Sequence, residues 1–180
     1  TASSIAPMPR PDTASHVQDK LVEITPLNDP FYSSGIASSY EATQHESGAF
    51  INVPILANIC KHNVTRFPYE ISRLAQDLAG GLMVTLPSPA DFAHDTIGPQ
   101  LEYYLQGKTD VSTEDRTRML RLIENMTLGR NAVGYLTESM HGAGSPQAQR
   151  IQVLRETDFE KKQSLARRLA GIIASDRNTL

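Results

Sequence analysis

Apolar residues recur along this chain with the spacing of helices. Over residues 13–27, Val17, Leu21 and Ile24 fall on one face at i, i+4 and i+7, with Asp19, Lys20 and Glu23 off it, the period of an amphipathic helix. Pro26 and Pro30 predict its end, because proline removes a backbone donor and clashes with the preceding turn. A second apolar series begins near residue 52 with Ile55, Leu56 and Ile59. It continues through Val64, Phe67, Ile71, Leu74 and Leu78 to the pair Gly80-Gly81. Pro68 must kink or divide this helix, since it also disfavours helical backbone at Phe67.

After the glycine pair, LMVTLPSPADF mixes β-branched residues with Pro87 and Pro89 and reads as an extended connector rather than part of a sheet. A short helix follows at residues 101–105. Ser112-Thr113-Glu114-Asp115 then gives an S-x-x-D start signal of the capping-box kind. Met119, Ile123, Met126, Val133, Leu136 and Met140 keep helical spacing as far as His141, which predicts one long amphipathic helix. A last helix is expected from Ser145 through Ile151, Leu154, Leu165, Leu169 and Ile172, with Lys161, Lys162, Arg167 and Arg168 on its wet side. No segment alternates with period two over a useful length. Long helices with short joins predict an all-α antiparallel bundle, one domain over residues 1–180.

Composition narrows the function. A chain of 180 residues buries a real core without a metal or disulfide staple. The formal net charge of −3, with Lys and Arg scattered along the helices, lacks the footprint of a nucleic-acid binder. No apolar run is long enough to span a bilayer. The single cysteine, Cys60, forbids an internal disulfide and by itself makes no thiolate zinc or iron–sulfur site, so no metal is expected and the cytoplasm is the expected compartment. The opening TASSIAPMPRP has neither the basic start nor the apolar centre of a secretory signal and does not begin with Met, so the expectation is a cut end of a longer protein.

The chemistry concentrates in YLTESMHGAGSPQAQR, residues 135–150. Gly142 suits the left-handed conformation that ends a helix, Gly144 removes a side chain from the turn, Ser145 suits the next N-cap and Pro146 the first helical position. That is a complete hairpin. The same geometry exposes backbone N–H groups at the positive end of a helix dipole, with two glycines admitting close approach, which suits a phosphate. Glu138 and His141 are three apart and share a face in the turn before the gap. They are either a solvated pair at a helix end or a proton-transfer pair; a second Glu-x-x-His, which a di-iron site needs, is absent from the chain. Gly80-Gly81 stops a helix or lets backbone lie against a cofactor. Arg66 and Arg73, seven apart, are solvent or subunit contacts, or phosphate clamps.

NICKHNVTRFPYEISRLAQDLAGGLMVTLPSPADF, STEDRTRMLRLIENMTLG and AVGYLTESMHGAGSPQAQR resemble the carboxyl-terminal domain of the 4-hydroxybutyryl-CoA dehydratases/vinylacetyl-CoA isomerases. These lie within the 4-hydroxyphenylacetate 3-hydroxylase flavoprotein family, and the resemblance covers nearly the whole chain. It implies a fold like the C-terminal domain of acyl-CoA dehydrogenases, self-association as a dimer or homotetramer, and FAD held between domains and subunits. The glycine turn that approaches the flavin nucleotide in that family matches Gly142, Ala143, Gly144, Ser145 and Gln147, with Gly80 and Gly81 as weaker matches. The active-site glutamate matches Glu138, and His141 follows it. The N-terminal and middle domains that supply most of the flavin pocket, and the ligands of the dehydratases' 4Fe-4S cluster, are absent from these residues. Three readings stay open: part of an acyl-CoA dehydratase, part of a flavin-dependent aromatic hydroxylase, or a helical module kept for assembly alone.

Overall fold

The computed structural model describes residues 14–107, 110–142 and 144–172. Helix α1 (Ser15–Tyr40) leads into a two-stranded antiparallel hairpin, β1 (Thr43–Gln44) and β2 (Phe50–Ile51), in which Thr43 faces Ile51. Helices α2 (Pro54–Val64) and α3 (Phe67–Ala79) follow, then a 3₁₀ turn at Gly81–Met83 and the short helices α4 (Pro89–Phe92) and α5 (Gly98–Leu105). Helix α6 (Thr113–Thr127) precedes a π-helical turn (Gly134–Glu138) that runs directly into α7 (Ser139–His141). Helices α8 (Pro146–Glu156) and α9 (Phe159–Leu169) complete the described chain. The all-α bundle expected from periodicity is what forms.

Proline bounds differ from expectation in one place and agree in another. Pro68 divides its series as expected, with α2 ending at Val64 and Pro68 in the first turn of α3. Pro26 and Pro30, by contrast, do not close α1; both lie inside a 26-residue helix. Each forfeits a backbone bond at a cost of about 3 kcal/mol, and tertiary contacts on either side of the prolines hold the helix through. Lys20 pairs with Asp77 of α3 at 2.8 Å, which holds the Asp77 carboxyl below its ordinary range. Phe31 meets Phe67 at 5.5 Å between ring centroids, and Ser38 Oγ donates to Val53 O at 3.0 Å.

Two expected long helices are each divided. The one expected from Met119 to His141 stops at Thr127, where the N–H groups of Leu128 and Gly129 both donate to Glu124 O at 2.8 Å. A Cβ on Gly129 would lie 3.1 Å from Asn125 Cα, so glycine is what lets the chain turn so tightly. The one expected from Ser145 to Ile172 breaks at Thr157-Asp158, where Asp158 caps α9 by accepting from Lys161 N at 2.8 Å. The connector is also more ordered than its sequence suggests. Ser88 and Asp91 form a reciprocal capping box that starts α4, and those hydrogen bonds lower the Asp91 pKa. Arg121 of α6 ties the strip down by donating to Leu86 O and Pro87 O, both at 3.0 Å.

The core lies between α3, the 3₁₀ turn and α6, where Ala75, Met83, Leu120 and Ile123 are buried under Ala79, Leu82, Leu86 and Met119. Leu120 is 2 % exposed, so Leu120→Ala is expected to cost about 2–5 kcal/mol. Chemical denaturation of the purified chain measures it; an unchanged midpoint would place the stabilising core elsewhere. Helix α2 is sandwiched between α1 and α8, an arrangement that sets the site described next.

Candidate functional site

Two local stops build the turn between α7 and α8. Gly142 leaves the helix with φ −59° and ψ 133°, extended rather than left-handed as expected, and its N–H donates to Glu138 O at 2.7 Å. The positive φ, +114°, falls instead on Gly144, whose N–H donates to His141 O at 3.2 Å. A Cβ there would stand 2.8 Å from Gln149 Nε2, so both backbone strain and space demand glycine. Ser145 then caps α8 as its sequence predicts, accepting from Ala148 N at 3.2 Å, with Pro146 in the first turn. Ala143 lies outside the described residues.

Beside this helix start is a pocket of about 470 Å³ lined by His62, Thr65 and Arg66 on one side and Ser145, Pro146, Gln147 and Arg150 on the other. Its first wall is the end of α2 and the junction to α3. Thr65 is buried, and its Oγ donates to His62 O at 2.7 Å, which stiffens that wall. Among the described residues neither Arg66 nor Arg150 makes an ion pair, and His62 Nδ1 is buried without a hydrogen-bond partner. Two guanidinium groups, an imidazole and a helix N-terminus thus converge on one cavity, the chemistry of an anion site. Arg73, equated with Arg66 by spacing, is instead consumed by Glu70 at 3.0 Å and Glu23 at 3.6 Å. The hydrogen bond that the Arg73 guanidinium donates to Glu70 is the main reason its pKa is raised.

Sequence reasoning finds Ser145 and Gln147 and offers His62 only as a metal partner of Cys60; it passes over Thr65 and Arg150. Arg150 was the legible one: it stands four residues after Pro146 and so lies over the first turn of α8. His62 and Thr65 reach the pocket because α2 packs on α8, which no local pattern reveals. Cys60 and His62, close in sequence, serve different neighbours. The Cys60 thiol donates to Phe31 O of α1 at 3.3 Å, while His62 faces α8.

Glu138 and His141 stand on the other side of the turn, both exposed and neither lining the pocket. Glu138 ends the π-helical turn, which Ser139 Oγ closes by donating to Gly134 O at 2.7 Å. Such widened turns cluster at functional sites because they reorient the residues after them. The carboxylate folds back along its own turn, with Oε2 3.5 Å from where a Cβ on Gly134 would be. Gly80 and Gly81 lie apart from all this. Gly80 ends α3 at φ +69°, and the 13 residues of α3 put about 20 Å of helix between it and Arg66.

The family described as 4-hydroxyphenylacetate 3-hydroxylase C terminal (HpaB) matches residues 1–171. The chain is 52 % identical over 167 residues to a 4-hydroxybutyryl-CoA dehydratase/vinylacetyl-CoA-Δ-isomerase of Clostridium aminobutyricum, covering 88 % of this chain and 34 % of that protein. An oxygen-tolerant archaeal 4-hydroxybutyryl-CoA dehydratase from N. maritimus superposes with a TM-score of 0.88 at 57 % identity, over 99 % of this chain and 36 % of that one. The oxygenase component of a 4-hydroxyphenylacetate 3-monooxygenase, solved with FAD and 4-hydroxyphenylacetate, superposes with a TM-score of 0.82 at 22 % identity, over 93 % of this chain and 35 % of that one. That likeness is one of fold. The chain spans about a third of the length of the relatives it matches.

Proposed function

Because the chain belongs to the 4-hydroxyphenylacetate 3-hydroxylase C-terminal family, we propose that it is the helical C-terminal part of an FAD-dependent 4-hydroxybutyryl-CoA dehydratase. The reaction is dehydration of 4-hydroxybutyryl-CoA to crotonyl-CoA, with vinylacetyl-CoA isomerisation. The observation that carries this reading is the 52 % identity to a dehydratase over most of the chain, set against 22 % for the oxygenase of the same fold.

The residues at the α8 N-terminus fit a dinucleotide. The pocket offers two arginines without acidic partners among the described residues, and Gly144, where a Cβ would run into Gln149 Nε2 at 2.8 Å, keeps the cradle at the turn free of a side chain. We assign the phosphates of FAD to this cradle, held by Arg66, Arg150, Ser145 and Gln147, with Gly142, Ala143 and Gly144 admitting the close approach. FAD when bound supplies the electron chemistry that makes removal of a poorly acidic hydrogen feasible. This chain supplies the proton acceptor, the Glu138 carboxylate, with His141 as its neighbour. Gly80 and Gly81 are weaker cofactor candidates. A 4Fe-4S cluster does not fit these residues: Cys60 is the chain's one cysteine, and one thiolate does not hold a cubane. Its ligands belong to the N-terminal and middle domains.

Exposed apolar side chains support assembly. Phe159, Leu165 and Leu169 of α9 are 48 %, 46 % and 79 % exposed, and such surfaces mark association. We read them as contacts with the missing domains or with a second copy in a dimer or tetramer. Among the described residues no helix is long and apolar enough to cross a membrane, and a cytoplasmic enzyme acting on acyl-CoA, without nucleic acid, is the consistent reading.

The direct test is the full-length protein with 4-hydroxybutyryl-CoA, assayed for crotonyl-CoA. Hydroxylation of 4-hydroxyphenylacetate with reduced flavin, and no crotonyl-CoA, would favour the oxygenase reading; no flavin and no activity would favour an assembly module. Within the cradle, Arg150→Met is expected to raise the FAD dissociation constant about 10–100-fold, the worth of one charge-assisted hydrogen bond. Flavin titration that finds wild-type affinity would move the phosphates elsewhere.

A further inference from the structure

Lys61 stands in the last turn of α2, half-buried. Its ammonium donates to the carbonyl of Ser139, 78 residues further along the chain. Ser139 directly follows Glu138. At this helix end Glu138 O accepts from Gly142 N and His141 O accepts from Gly144 N, closures that the local turn provides. Of the two carbonyls between them, that of Ser139 is satisfied from another helix. A helix end leaves such carbonyls without intrahelical donors, and they carry the negative end of the dipole, so a cation is well matched there.

The position on α2 matters as much as the bond. His62, the next residue, and Thr65, four after Lys61, line the pocket beside Ser145. One turn of α2 therefore touches both sides of the glycine turn: the Glu138 side through Lys61, the pocket side through His62 and Thr65. An apolar residue would fill this half-buried place without the desolvation that an ammonium pays, so packing alone does not call for lysine. We propose that Lys61 is a positioning residue, fixing the backbone at Ser139 and thereby the placement of Glu138 relative to the nucleotide pocket. The proposal rests on the reading of Glu138 as the proton acceptor.

The experiment compares Lys61→Met, which keeps the aliphatic stem without the donor, and Lys61→Arg, which keeps a cationic donor, in the full-length enzyme. Each is made alone and with Glu138→Gln. Lys61→Met is expected to lower kcat about 10–100-fold, as misplacement of a reacting group does. FAD content and KM are expected to stay within about twofold, and Lys61→Arg should recover most of the loss. In the Glu138→Gln background Lys61→Met should add no further loss, since the group it places is gone. Wild-type kcat in Lys61→Met, no recovery by Arg, or an equal loss in both backgrounds overturns the proposal. If Glu138→Gln is itself fully active, the underlying reading falls and the proposal with it; an inactive Glu138→Gln with additive Lys61→Met sinks the lysine alone. Thermal unfolding checks the fold, and Lys61→Gln, a neutral donor of shorter reach, replaces Lys61→Met if the latter is unfolded.

Discussion

On the proposed reading, Glu138→Gln in the full-length protein is expected to lower turnover of 4-hydroxybutyryl-CoA by about 10²–10⁴-fold, the contribution of a positioned general base, while FAD content is expected to stay at the wild-type level. Glutamine keeps the size of the side chain and much of its hydrogen bonding but neither the charge nor the basic oxygen. Glu138 is exposed and makes no ion pair among the described residues, so the substitution removes no contact that supports the bundle and stability should be unchanged. Steady-state kinetics alongside flavin absorbance decides it. Equal activity in the variant would make Glu138 a surface carboxylate on a π-helical turn.

Gly144→Val acts on the other side of the turn and is expected to show the opposite signature, loss of flavin, with activity lost only through it. At φ +114° a β-branched residue is a genuine outlier. Its Cβ would also meet Gln149 Nε2 at 2.8 Å, and Gln149 is 4 % exposed, so its side chain has little room to give. The turn is expected to shift, and with it Ser145 and the start of α8, which are proposed to face the phosphates. The purified variant is expected to retain under about a tenth of wild-type FAD, a loss of more than 1.4 kcal/mol in binding, with helical circular dichroism preserved. Wild-type flavin content would leave the turn a hairpin and nothing more.

The turn itself was legible because its parts act over three or four residues. The Ser145 cap, Pro146 in the first turn and a glycine stop are local bonds, read from residue types alone. The identity of the left-handed glycine was not: Gly142, which the helix stop favours in sequence, is extended, and the positive φ falls two residues on at Gly144. The end of α6 at Thr127 had a signal, Leu128-Gly129, masked by apolar residues that resume in register at Val133. Pro26 and Pro30 misled because propensity is a weak prior against a helix clamped on both sides to α3 and Val53. Arg66 and Arg73 are alike by spacing. Their fates separate because Arg73 has Glu70 one turn back on its own helix and Glu23 of α1 beside it, while Arg66 stands where α8 begins.

What the sequence by itself determined is the secondary structure class, most helix starts and the turn at Ser145-Pro146, which rest on hydrogen bonds and periodicities confined to a few neighbouring residues; the family was legible from the likeness of whole blocks such as AVGYLTESMHGAGSPQAQR. Tertiary structure decided which side chains meet at that turn. His62, Thr65 and Arg66 come to Ser145 because α2 packs on α8, and Lys61 comes to Ser139 across 78 residues. Burial and chain crossing set those encounters, and neither is written in the spacing of any one segment.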